Sequence, residues 1–143
     1  GHAPGHVALQ APSGHLVAGD LVAGTGTILI EPDDDGHLGT YLASLAAMRD
    51  LHPVALLPAH GPVLDDAVHT LDTYIAHRHM RTDQIRRALA PLASATPTEL
   101  APRVYVDLDP RLHPLAARQI TAHLVWLAEQ GEVEARDGRW FRT

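Results

Sequence analysis

Residues 54–62 constrain this chain more than any other stretch: an apolar run, Val-Ala-Leu-Leu-Pro-Ala, stops at His60 and leaves through Gly61-Pro62. A continuous apolar run, unlike an alternating one, is the pattern of a strand covered on both faces, and such strands belong to layered α/β folds. Pro58 cannot donate a ladder hydrogen bond, so the last residues run past regular pairing. His60 is thereby set at the carboxyl end of a stiff element, its ring free to face a cleft. Such a place suits a metal ligand or a general base, and it equally suits a strand-end imidazole bonded to a neighbouring loop.

Composition narrows the chemistry. There is no cysteine, which removes disulfides, zinc–thiolate centres and thiol nucleophiles. All eleven basic residues are arginine, and the formal charge of -6 argues against coating nucleic acid, where counterion release needs clustered positive charge. Histidine is the outlier, eleven in 143 residues, offering nitrogen donors without a redox liability. No apolar run approaches the ~18 residues of a membrane span and no signal peptide is visible, so the expectation is a cytoplasmic protein with no membrane partner. The chain begins at Gly1 without methionine, which suggests a fragment.

Taken in order, Gly1 to His6 is a turn-rich loop leading into a hairpin whose strands, 7–11 and 15–18, flank Pro12-Ser13-Gly14. The second strand ends at Gly19-Asp20, which places a carboxylate at a strand end or, alternatively, at the cap of the next turn. Asp33, Asp34 and Asp35 lack the alternation of a calcium loop and read as acids preceding a helix. Apolar residues from Leu38 to Leu51 recur at helical spacing, and a long helix opened by Asp65-Asp66 runs to Leu89 with Val68, Leu71, Ile75, Ile85 and Leu89 inward. Tyr74, His77, Arg78, Arg81 and Gln84 largely share a polar face of it. Pro91 to Pro97 breaks the pattern, which divides the chain into domains 1–90 and 91–143. The second holds a short helix at 97–102, a longer one from His113 to Gln130 stopped by Gly131, and an Asp137-Gly138 hairpin, a winged-helix-like module.

Gly-His-Ala-Pro-Gly-His, then Ala-Gly-Asp, then Pro-Ala-His-Gly-Pro, in that order, resembles the later half of the metallo-β-lactamase superfamily, nearest its glyoxalase-II-like and endoribonuclease-like branch. The Tyr-Ile-Ala-His-Arg-His-Met-Arg run and the terminal winged helix resemble the branch called β-lactamase-like protein 2. The resemblance implies an α/β fold: the C-terminal half of an αββα sandwich followed by a small winged-helix-like domain. It implies that His2 binds one metal, that Asp20 bridges two metals and is catalytic, that His60 binds the second, and that His6 stands behind them. The implied cofactor is a pair of zinc ions, with manganese or iron as alternatives. The family's first ligand motif, His-x-His-x-Asp-His, is not in the chain, so the missing amino-terminal half is an expected partner and the fragment alone is expected to be inactive.

The expected function is therefore the C-terminal portion of a dinuclear-metal-dependent hydrolase, acting on RNA by metal-bound hydroxide attack at a phosphodiester, with Tyr74, His77, Arg78 and Arg81 binding substrate. Thioester hydrolysis of a small molecule is the alternative. A different class, a winged-helix binding module, is weakened by residues 91–143 carrying six arginines against seven acids. The tail is expected to pack on the hydrolase body or in a homodimer, with Trp126 and Trp140 in its core.

Overall fold

The computed structural model describes residues 1–143. Strands and helices follow as β1 (Leu9–Gln10), β2 (Leu16–Gly19), α1 (Leu38–Asp50), β3 (Leu56–Pro58), α2 (Ala67–Leu89), α3 (Pro97–Val104), α4 (His113–Glu129), β4 (Val133–Arg136) and β5 (Arg139–Arg142). The chain divides into two compact units, Gly1–Arg78 and His79–Thr143. The boundary expected after residue 90 coincides with the end of α2. The division lies earlier, inside that helix, because Ile85 and Leu89 belong to the core formed with Leu100, Ile120, Leu124 and Val133.

In the first unit one sheet has the order β1-β2-β3. β1 and β2 form the expected antiparallel hairpin, shorter than its apolar residues suggested. β2 and β3 are parallel, with Leu16 opposite Leu56 and Gly19 opposite Pro58, and parallel neighbours require a crossover, which here carries α1. Side chains alternate across the sheet, so Leu9, Val17 and Leu57 share one face and Gln10, Leu16 and Leu56 the other. Leu16, Ala18 and Leu56 are buried, as is the α1 stripe Leu38, Tyr41, Leu42, Leu45 and Met48.

Within the run at 54–62, Ala55 and Leu56 are buried on opposite faces, Leu57 is half-buried, and the two ends are open. Val54 is 59% exposed, and β3 is an edge strand with β2 on one side. Only an isolated bridge from Leu56 to Leu64 stands beyond it. The aspartates precede α1, as expected, and the helix is capped by His37, its Nδ1 accepting the Thr40 amide at 3.0 Å. The aspartates lie in and after a short 3-10 turn, Pro32–Asp34.

In the second unit Thr96 and Glu99 form a reciprocal capping box at the start of α3. α3 runs through Pro102 to Val104, past the expected stop, and the Tyr105 amide closes it by donating to Ala101 O at 2.9 Å. Gly131, at φ 74°, follows α4, and β4 and β5 pair around Asp137-Gly138 with Ala135 opposite Trp140. Trp140 packs on the second core, while Trp126 lies against His79 at 6.0 Å between ring centroids. No helix is long and apolar enough to cross a membrane.

Candidate functional site

Because β2 and β3 are parallel, their carboxyl ends emerge on one edge of the sheet, the edge where open α/β sheets bind ligands. Asp20 follows β2 and His60 follows β3. Asp20 Oδ1 and His60 Nε2 are 3.5 Å apart, and both side chains are open to solvent. The backbones are tied as well: the Ala59 amide donates to Gly19 O at 3.1 Å and the Gly24 amide to His60 O at 2.9 Å.

His6 meets Asp20 from the other side. Its Nε2 accepts the Asp20 amide at 3.1 Å, and its Nδ1 is buried with no hydrogen-bond partner. Burial lowers the pKa of this imidazole, His2 lowers it further, and the Asp20 carboxylate opposes both. Gly19 makes the approach possible, since a Cβ there would stand 2.6 Å from His6 Nε2 and φ is 55°. His2 sits edge-on to His6 at 6.1 Å, with its Nδ1 held by Leu29 O at 2.9 Å. Of the expected trio, Asp20 and His60 touch, while His6 holds the Asp20 backbone and His2 packs on His6. Spacing alone could not separate His2 from His6.

The four expected substrate-binding residues have different surroundings. The Tyr74 hydroxyl accepts the Ala23 amide and donates to the Ala23 carbonyl. Arg78 is 5% exposed, donates to Ile28 O at 2.6 Å and stacks over Tyr41, so it is a cation inside the first unit rather than a surface anion contact. Arg81 belongs to the second unit, stacked 4.1 Å over Tyr105 and donating to Val104 O. His77 alone is exposed, beside a depression of about 380 Å³ lined also by Gly26, Thr27, Thr73, Tyr74 and Arg78. Sequence reading passed over Tyr41, a buried residue whose hydroxyl donates to Leu21 O at 2.7 Å. Its place three residues after Leu38 and four before Leu45 was the available signal.

Two imidazoles and a carboxylate are a fitting donor set for zinc, manganese or iron, and the His2 ring is oriented as a ligand's would be, its Nδ1 donating to Leu29 O so that Nε2 keeps its lone pair. The set is incomplete within this chain, where no three His, Asp or Glu residues are arranged to hold an ion. Three other histidines have local roles: His15 bonds Ser13, His37 caps α1, and His52 bonds Asp50 O.

Residues 96–140 match the family described as "Beta-lactamase associated winged helix domain". Over 135 residues, covering 93% of this chain and 44% of the other, the sequence is 30% identical to the "Beta-lactamase-like protein 2 homolog" of Drosophila melanogaster. It is 29% identical to the "Atrochrysone carboxyl ACP thioesterase" of Cryptosporiopsis sp., across 98% of this chain and 49% of that protein. The crystal structure of a metallo-beta-lactamase family protein from Thermus thermophilus superposes with a TM-score of 0.82 at 26% identity, covering all of this chain and 47% of that one. The chain spans about half the length of the relatives it matches.

Proposed function

We propose that this chain, which is the C-terminal portion of a metallo-β-lactamase fold with its associated winged helix, supplies one side of the metal site of a hydrolase. The observation that carries the reading is the contact between Asp20 and His60 on the shared strand-end edge, with His6 on the Asp20 amide. Asp20 and His60 would hold an ion together with His2, whose Nδ1 donates to Leu29 O and leaves Nε2 for a metal, while His6, its Nε2 taken by the Asp20 amide, steadies the Asp20 backbone behind them. The Asp20 carboxylate has two oxygens with which to bridge a pair of cations. A bound zinc lowers the pKa of attacking water from 15.7 to about 7.

A carbonyl-centred substrate fits the surroundings better than a phosphodiester. The phosphate reading leaned on Arg78 and Arg81, and both guanidiniums are engaged by backbone carbonyls and aromatic rings. A relative named as an acyl-carrier thioesterase points the same way. The acyl group would lie along the strand-end edge, with His77 the exposed imidazole available to contact it. The base-reading alternative is weakened by charge pairing in the second unit, where Arg86 pairs with Glu132, Arg136 with Glu134 and Arg139 with Glu99.

The test is a zinc titration followed by NMR of the histidine rings. His60 and His2 should shift together at up to millimolar zinc, and Asp20→Ala should remove the response. His2→Gln should weaken binding more than His6→Gln. In a polypeptide of the relatives' full length carrying this sequence, Asp20→Ala should abolish nearly all zinc- or manganese-dependent hydrolysis of an acyl thioester. Rings indifferent to zinc, or full turnover in the Asp20→Ala protein, would sink the reading.

A further inference from the structure

The segment from Leu21 to Ile28 leads away from Asp20 without forming strand or helix. Backbone polar groups in such a segment still need partners, and here side chains from two helices provide them. Tyr41 of α1 donates to Leu21 O at 2.7 Å, and burial pushes its hydroxyl up to about 12, so it stays a protonated donor. Tyr74 of α2 meets both groups of Ala23, accepting from the amide at 3.1 Å and donating to the carbonyl at 3.0 Å. Arg78, one turn along, donates to Ile28 O.

Tyr74 holds the most telling of these positions. A phenol hydroxyl has one proton to give and lone pairs to receive, so it can serve a residue as an adjacent strand would. The residue it serves lies between two features of the site: Asp20 is three positions before Ala23, and the next residue, Gly24, donates its amide to His60 O at 2.9 Å. Loss of the clasp at Ala23 therefore frees the short path that links one side chain of the pair to the backbone of the other.

We infer that Tyr74 is a positioning residue: by clasping the Ala23 peptide groups it fixes the loop that holds Asp20 and His60 in register. Its importance for function rests on the reading of Asp20 and His60 given above, whereas the clasp itself is independent of any metal.

The 143-residue chain carrying Tyr74→Phe tests this directly, because phenylalanine keeps the ring and removes only the hydroxyl. Amide exchange by NMR should speed up at Ala23 and Gly24 by roughly tenfold, the weight of a lost buried hydrogen bond, while amides in α1 stay protected. The His60 ring resonances should shift, and the apparent zinc affinity should fall several-fold. Unchanged protection at Ala23 and Gly24, or uniform loss through the whole first unit, would overturn the inference. Zinc that shifts the His60 ring equally well in both proteins would also overturn it while sparing the proposed function. If zinc shifts nothing in the unsubstituted chain, the proposed function fails, and exchange loss confined to 23–24 still supports the clasp.

Discussion

His60 Nε2 stands 3.5 Å from Asp20 Oδ1, and the glycines behind the two residues explain how the loops come so close. A Cβ on Gly61 would lie 2.8 Å from Gly24 Cα, and one on Gly24 would lie 2.6 Å from the Pro62 carbonyl oxygen. Gly61 also has φ 88°, outside the range of ordinary side chains. Gly61→Ala should therefore cost about 1–3 kcal/mol in denaturant unfolding and displace His60 from Asp20. A variant of parental stability that keeps the His60 ring environment would contradict the packing described.

What the sequence made legible was the part governed by local rules. The Asp137-Gly138 hairpin and the helical period of α1 each depend on neighbours within a few positions, and the structure places them as read. The long-range partners were not legible. Arg78 looks like a surface cation until its acceptor, Ile28 O, is found fifty residues earlier. Likewise, the run at 54–62 reads as a covered strand throughout because its apolar residues look alike in sequence, whereas only Ala55 and Leu56 in it are buried. Asp20 and His60 were recognisable from their glycine-flanked strand ends, whereas the contact of His6 with Asp20 required the positive φ of Gly19.

The capping box gives a prediction confined to the second unit. Thr96 Oγ1 accepts the Glu99 amide at 3.2 Å, and Glu99 accepts the Thr96 amide at 2.8 Å. Thr96→Ala should destabilise by about 1 kcal/mol in urea unfolding and raise amide exchange in the first turn of α3. No change in either measurement would show the cap to be idle.

Acid should weaken the same unit. The Thr96 amide and then Arg139 hold Glu99 below its ordinary pKa, and a bidentate Arg86 does so for Glu132, at 2.7 and 2.6 Å. Both carboxylates bind protons less readily when folded. Their stabilisation is present above the unfolded pKa of about 4.5 and is lost as pH falls through the lower folded values. The pairs are exposed, so solvent screening keeps the contribution of each small. Melting temperature should decline below about pH 5. Glu132→Gln should be less stable than the parent at neutral pH and decline less steeply with acid. An identical acid slope in the variant would remove Glu132 from the account.

The first unit's sheet predicts self-association. Leu9 and Val17 are cross-strand neighbours, 63% and 45% exposed, and Leu57 continues the same face in register. Val54, close by in sequence, is also largely exposed. On a sheet whose opposite face buries Leu16 and Leu56, such apolar area favours contact with another surface. Sedimentation should show the chain associating as concentration rises toward the high micromolar range. Val17→Lys should reduce association without unfolding the protein, because it puts a charge on the open face and leaves the buried face intact. The melting temperature separates the outcomes: reduced association with unchanged melting supports the open face as the contact, whereas a chain that stays monomeric throughout, or a Val17→Lys protein that associates as before, refutes it.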